Sequence, residues 1–543
     1  MELRRFTMSN PTAAFSIIAH EAWGHRLSVG ENDDDTNFGD GHNKTQRLRN
    51  RIKRDFNSLP EKVLLSVFSY LPHLQLLRCA RVCRLWRGLS QNSKLWKQVF
   101  LRPEHHGLHV KNLDQFVPLI GHRFALSLQF IELPMELITS DVLHELANKC
   151  PNLKYLTLDF STAMQLHDFN DLNMFPCNLK ALCICLSEVI FLEGFMRRIY
   201  TYLSSLEVLQ IIGTIEKSTE AEEEVYETIN ISKIKVQTPN LRVINLYGIF
   251  FIDDNHIETI ASGCIHLECF ALNFCTRVKG TSFKNLLQRC RKLQCLLLQN
   301  TGTSIEDNYM LAADWATSSV SELDISSTDL SEQCLLDVFA RMPKLTYLAV
   351  PNCDGFTDQV LDLLIDQGKL SHIRAIDLSD TVNLNFEVVA TFIKRHGRQL
   401  RGISYYGNPK VSEQFWTNAI KNMKNVKIVV IGTSFGWFKK ISTRIHIDQI
   451  LESCAQECQN LERLEIQWDQ ETLRWNENSS KFIDHIRIRC VKLNSLVLSD
   501  GEYYELVRSN FERADRQRVV RTATSDQTSI VSLLKYYNDL RFN

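Results

Sequence analysis

The chain is 543 residues long, room for three or four domains at roughly 150 residues each, unless it carries repeats, which lengthen one core without splitting it. Its 62 Lys and Arg against 63 Asp and Glu leave no chain-wide basic excess to hold nucleic acid or an anionic membrane, and 44% hydrophobic residues argue against wholesale disorder. No apolar run approaches the roughly 18–20 residues of a membrane helix, and the first 30 residues lack an apolar signal core, so the expectation is an intracellular protein, cytoplasmic and/or nuclear.

Residues 1–54 show no sustained periodicity and read as a disordered polar segment. They hold an acidic stretch, Glu31 to Asp35, and close on the basic run Arg47, Arg49, Arg51, Lys53, Arg54. That run reads as a solvated linker; the alternative is a nuclear import signal. Residues 55–101 differ. Ser58 and Glu61 have the spacing of a capping box, with Pro60 in the first helical turn. Val63, Leu64, Val67, Phe68 and Leu71 then form one helical face, and Pro72 ends the helix. Leu74, Leu76 and Leu77 make a second apolar set, Val82, Cys83 and Trp86 a third, and Leu95, Trp96 and Val99 a fourth. So short a segment cannot bury that much apolar surface alone. Either it caps the following domain or it presents an obligate partner surface. Residues 102–122 read as a connector; its neighbouring pair His105-His106 is expected to be loop histidines rather than metal ligands.

From 123 to 501 the pattern Leu-x-x-Leu-x-Leu recurs, about 13–14 times with a degenerate first copy at Leu126 and Leu128. The clear copies begin at Leu153, Leu179, Leu206, Leu241, Leu267, Leu293, Val320, Leu345, Ile373, Leu400, Val426, Leu461 and Leu493. The steps between them are 26, 27, 35, 26, 26, 27, 25, 28, 27, 26, 35 and 32 residues. Residues two apart point to the same side of a strand, so the second and third apolar positions face inward together and those between face out. A helical segment follows each strand; in the repeat beginning at Leu241 it spans Asp253 to Gly263, with Gly263 suiting the helix exit. One unit cannot bury its apolar edge, but stacked neighbours can. Residues 502–543 read as a C-terminal cap or tail.

Sixteen cysteines run from Cys79 to Cys490, several at positions that call for a hydrophobe, as expected of reduced, buried thiols. Cys183 and Cys185 form a CxC that puts both thiols on one face of a strand, and no second pair completes a zinc site. GxSxG, HExxH, Walker and GxGxxG signatures are missing, so neither catalytic residues nor cofactors are expected.

Two resemblances follow from these residues. Cys150, Cys264, Cys290, Cys458 and Cys490 lie three residues before a first apolar position, and Cys275 and Cys353 eight after one. This resembles the cysteine-containing class of leucine-rich repeats, which implies a curved α/β horseshoe with parallel strands on its concave face. Leu59, Pro60, Glu61, Val63, Leu64, Val82, Cys83, Trp86, Leu95 and Trp96 resemble the pattern of a small all-α F-box. Together they resemble the substrate receptors of SCF-type ubiquitin ligases. The resemblance implies a non-catalytic subunit whose F-box docks on a Skp adaptor, and through it on cullin and RING subunits, while the repeats bind a protein substrate for ubiquitination and proteasomal degradation. A non-degradative scaffold is the alternative.

The expected adaptor-binding residues are Leu59, Pro60, Val63, Leu64, Val67, Phe68, Val82, Cys83, Trp86, Leu95 and Trp96. For the substrate, the outward strand positions hold Asp159, Glu322, Asp324, Asp377 and Glu465 against one base, Arg463, interleaved with Tyr155, Tyr247, Tyr347 and Tyr406. Glu322, Asp324, Tyr347, Asp377 and Tyr406 are therefore expected to form a shallow acidic surface for a basic segment. Two long steps imply insertions. The first carries Glu216, Glu220, Glu222, Glu223, Glu224 and Glu227 and reads as a mobile acidic loop. The second carries Phe435, Trp437 and Phe438, beside Lys439 and Lys440, which either fold back on neighbouring repeats or serve as an exposed substrate anchor.

Overall fold

A computed structural model describes residues 56–522, apart from 72, 100, 102–107, 109, 111, 165–168, 188–191, 214–226, 228, 302–304, 409, 433–444, 467, 469–472, 475–478 and 499–518. The expectations for the N-terminal segment, His105-His106, the glutamates from 216 to 224, and Phe435, Trp437 and Phe438 lie outside the described residues. The rest falls into two compact units, divided between Leu206 and Glu207.

The first unit begins with three helices: α1 (Glu61–Phe68), α2 (His73–Cys79) and α3 (Arg84–Ser90). Pro60 occupies the N-cap of α1 with no side-chain cap; the Ser58 side chain, expected to form a capping box with Glu61, lies outside the described residues. Proline suits that place: its fixed φ, here −56°, leads into the helix and it has no N–H to leave unsatisfied. Helix α3 takes its cap from a cysteine, the Trp86 amide donating to Cys83 Sγ at 3.4 Å. Leu64, Phe68, Leu76 and Leu89 pack as the core of this bundle.

The chain then runs straight into a parallel sheet. Strand β1 (Gln98–Val99) pairs with β2 (Phe130–Pro134), followed by β3 (Tyr155–Asp159) and β4 (Ala181–Cys185). Two sequence boundaries move as a result. Trp96, Val99 and Leu101, at repeat spacing and each under 5% exposed, supply the first rung, so the helical module and the repeats share residues. The degenerate first copy reads Leu128, Ile131 and Leu133, all fully buried, while Leu126 is 67% exposed. The register Ile131↔Leu156 and Leu133↔Leu158 fixes that assignment.

In the second unit β5 (Val208–Ile212), β6 (Val243–Tyr247), β7 (Cys269–Ala271), β8 (Cys295–Leu297) and β9 (Glu322–Asp324) continue the pattern. So do β10 (Tyr347–Ala349), β11 (Ala375–Asp377), β12 (Gly402–Tyr406) and β13 (Ile428–Gly432). Beyond β13 the 35- and 32-residue steps accommodate a side pair, β14 (Ile445–His446) with β16 (Leu473–Arg474), while the main ladder passes through β15 (Arg463–Ile466) to β17 (Ser495–Leu498). Among the described residues a final strand, β18 (Val519–Thr522), adds a rung inside the segment expected to be a C-terminal cap or tail. This is the α/β fold of leucine-rich repeats behind an all-α module. All 39 motif positions are at most 3% exposed, so each rung buries its apolar edge against its neighbours.

The helix foreseen at Asp253–Gly263 spans Asp254–Gly263. Asp253 is its N-cap and forms a capping box with His256, whose ring lies 2.6 Å from the Asp253 carboxylate. Gly263 remains helical and Cys264 is the C-cap; a Cβ at 263 would collide with the Lys235 side chain. The cysteine before each first apolar position also gains a physical account. It caps a helix, and its thiol reaches the equivalent carbonyl one repeat back: Cys290 Sγ donates to the Cys264 oxygen at 3.5 Å, and Cys490 Sγ to the Cys458 oxygen at 3.2 Å.

Candidate protein-interaction sites

The helical module sorts its expected contact residues into two layers. Leu64, Phe68 and Trp96 are at most 1% exposed and cannot meet a partner in this fold. Leu64 and Phe68 belong to the bundle core. Trp96 stacks on His73 with ring centroids 5.0 Å apart, lies 5.9 Å from Phe124, and donates its indole N–H to the Ser90 oxygen at 2.9 Å. It is the hinge-pin between helices and sheet, which the sequence pattern could not distinguish from a surface anchor. Cys83, Trp86 and Leu95 are half-buried. Trp86 leans edge-on against Phe68 at 5.3 Å and donates to Asn57 Oδ1 at 2.7 Å.

Leu59, Pro60, Val63, Val67 and Val82 remain on the outside. Leu59, just ahead of α1, and Val63 and Val67 on it recur every four residues as an exposed stripe beside the buried one of Leu64 and Phe68. The expected contact residues did not include Phe56, Tyr70, Leu74 or Leu85, all of which are also exposed. Tyr70 continues the same helical period, a signal that was available. Eight of the nineteen large hydrophobics exposed among the described residues fall between 56 and 85. Single exposed apolar side chains need no explanation, but this concentration does.

The expected acidic surface on the strands is not a surface. Glu322, Asp324, Tyr347, Asp377 and Tyr406 are all at most 9% exposed. So are Asp159, Tyr247, Arg463 and Glu465; only Tyr155 remains half-buried. Charge alone misled here, because many of the outward positions beside these residues are apolar. Cys269, Ala271, Cys295, Leu297, Ala349, Ala375, Ile428 and Val430 form one buried cluster with Tyr347 and Tyr406. The strand register sets Ala349 between Asp324 and Asp377. Burial raises the Asp324 carboxyl to about 6 and Asp377 to about 7, although the amides of Ser326 and Ser379 donate to them at 2.9 and 3.0 Å. Desolvation outweighs those hydrogen bonds. Arg463 and Glu465 instead pair with each other at 2.5 Å.

Cys183 and Cys185 are buried side by side on β4, and among the described residues no group of three or more His, Cys, Asp or Glu could hold a metal ion.

Residues 56–102 match the F-box-like family. The chain is 29% identical over 135 residues to F-box/LRR-repeat protein 12 of Bos taurus, covering 23% of this chain and 39% of that protein. It is 53% identical over 47 residues to F-box only protein 6 of Mus musculus, covering 8% of this chain and 16% of that one. Less than half of either relative's length is therefore spanned. A chain of a crystal structure of the Rad7 and Elc1 complex in yeast aligns with a TM-score of 0.41 at 15% identity, over 76% of this chain and 89% of that one. With the helical module matched to its family and the repeats laid out as parallel rungs, the chain has the make-up of an F-box/leucine-rich-repeat protein.

Proposed function

We propose that this chain is the substrate-recognition subunit of an SCF-type ubiquitin ligase. Its F-box docks on a Skp adaptor, which links it to cullin and RING subunits. Its repeats hold a protein substrate for ubiquitin transfer and degradation. The chain itself carries no catalytic role in this reading; it raises the effective concentration of substrate at the transfer site. The observation that carries the proposal is the apolar surface of Leu59, Val63, Val67 and Val82, left outside a bundle whose own core is already filled by Leu64, Phe68, Leu76 and Leu89. Such anchors, once covered by a partner, can each contribute about 2 kcal/mol or more.

The test is capture of adaptor and cullin by the full chain, compared with Val63→Glu plus Val82→Glu. Both sites are exposed, so melting should be unchanged while adaptor and cullin are lost together. Undiminished adaptor capture by the double variant would refute the docking face. Adaptor without cullin on the wild-type chain would favour a non-degradative scaffold.

A further inference from the structure

The outward face of the strands in the second unit is hidden, and no helix hides it. From β7 to β13 the buried cluster on that face draws every member from a strand and none from a helix. Rungs stand about 4.8 Å apart, so neighbouring side chains shield each other's flanks and leave their tips open. Yet Cys295, Ala375 and Val430 are 0% exposed, and Tyr347, with a whole ring to cover, is 3%. Burial that complete needs a further layer over the tips.

The face defines the chemistry of that layer. Its floor is apolar, and the charged residues at its outward positions from β7 to β13 are all acidic: Glu322, Asp324 and Asp377. The next base along the ladder, Arg463 on β15, is held by Glu465. Carboxyls buried among apolar groups are costly without cations beside them. An occupant with both apolar and basic side chains meets both demands.

The chain's own N-terminal segment has that composition. Residues 1–18 carry Arg4 and Arg5 against the one acid Glu2, and with them Phe6, Met8, Phe15, Ile17 and Ile18. Residues 523–543, beyond β18, are apolar too, but their Lys535 and Arg541 are balanced by Asp526 and Asp539. Length is no obstacle. Phe6 is about fifty residues from Phe56, where the described structure begins, and at about 3.3 Å per extended residue that reaches on the order of 160 Å. We propose that the outward face of β7 to β13 is an intramolecular docking site for the segment around Arg4, Arg5 and Phe6. A protein that uses this face must displace that segment first, so the repeats are self-covered until it arrives. The docking does not rest on the receptor reading.

Photo-crosslinking in the full chain tests it, with p-benzoylphenylalanine placed at Phe6 and, in a second preparation, at Tyr536. The Phe6 probe should crosslink to peptides from β7 to β13 within the same copy. Crosslinks there from Tyr536 and none from Phe6 would overturn the assignment in favour of the C-terminal residues. Crosslinks only between isotope-labelled and unlabelled copies would overturn it in favour of a second copy of the chain. Thiol labelling is an independent readout. Cys269 and Cys295 lie on the face, whereas Cys264 and Cys290, close by in sequence, cap helices. Arg4→Glu, Arg5→Glu and Phe6→Ala together should speed iodoacetamide labelling of Cys269 and Cys295 about tenfold or more and leave Cys264 and Cys290 unchanged. A synthetic peptide of residues 1–20 should restore the protection. Unchanged labelling of the face, or equal acceleration at all four thiols, would overturn the docking. Adaptor capture by the same preparations should stay at the wild-type level and reports on the F-box separately.

Discussion

Asp324 and Asp377 carry carboxyls where the fold leaves them little water. Both titrate above the ordinary aspartate value of 3.8, at about 6 and about 7, because burial disfavours the ionised form. A folded-state value above the unfolded one means the folded chain keeps protons that the unfolded chain has released. Their contribution therefore favours folding below about pH 4 and is lost as pH rises through about 6 to 7. Asp377→Asn is expected to raise the melting temperature at pH 8, by an effect of up to about 3 kcal/mol, and to lose that advantage towards pH 4.5. Thermal melts of both proteins across that range decide it; parallel curves would mean the carboxyl is solvated. Replacing either aspartate by lysine would bury an ammonium group and report on folding rather than on recognition. A second residue-scale device lies seven positions after each first apolar residue. Phe274, Asn300, Ser327, Asn352 and Asp380 have φ between 48° and 62°, and Gly407 has 88°. Each donates its amide to the next rung, as Ser327 does to the Pro351 oxygen at 2.8 Å. Ser327→Gly should raise the urea midpoint by up to about 1 kcal/mol of stability, and Ser327→Val should lower it, since a β-branched side chain fits the left-handed region poorly. An indifferent position would show that the turn relaxes.

At the scale of the elements, the two sides of α1 separate folding from docking. Leu64→Ala removes a side chain that is 1% exposed and should cost about 2–5 kcal/mol, unfolding the helical module and losing adaptor through that route. Val63→Ala, one residue away on the outside, should leave melting nearly unchanged and weaken adaptor capture. Melting and capture measured on both variants distinguish the two routes; equal melting would place Leu64 outside the core. The same pair shows what was legible beforehand. Helical spacing identified an apolar helix, but Val63, Leu64, Val67 and Phe68 span both of its sides, and spacing alone does not say which side the other helices cover. Repeat spacing was a stronger signal, because an inward position on one rung is inward on all of them. It located every main strand from β3 to β13, then β15 and β17. It faltered where the register could be counted from either of two leucines, at Leu126 and Leu128, and where Trp96 served helices and sheet at once. The acidic surface failed for another reason: charged outward positions were weighed without the apolar ones packed beside them.

Across the repeats as a whole, buried thiols form a built-in set of stability probes. All sixteen cysteines are free, and of these only Cys177 is exposed. Burial raises Cys150, Cys275, Cys290 and Cys334 to about 12, and Cys264 and Cys353 to about 11, so the reactive thiolate is scarce in the folded chain at neutral pH. Iodoacetamide at pH 8 should therefore modify Cys177 and the half-buried Cys79 and Cys83 of the helical module first, and the thirteen buried thiols should react only as their repeats open. Each repeat is held by its neighbours, so opening need not be uniform. Cys275 lies between β7 and β8, with two rungs of its unit, β5 and β6, before β7 and eight, from β9 to β18, after β8. Cys490 precedes β17, which among the described residues has a single rung, β18, beyond it. In sub-denaturing urea Cys490 should be modified well before Cys275, read peptide by peptide in a mass spectrometer. Modification of both at one common rate would show instead that the second unit opens in a single cooperative step, with its last rungs as firmly held as its middle.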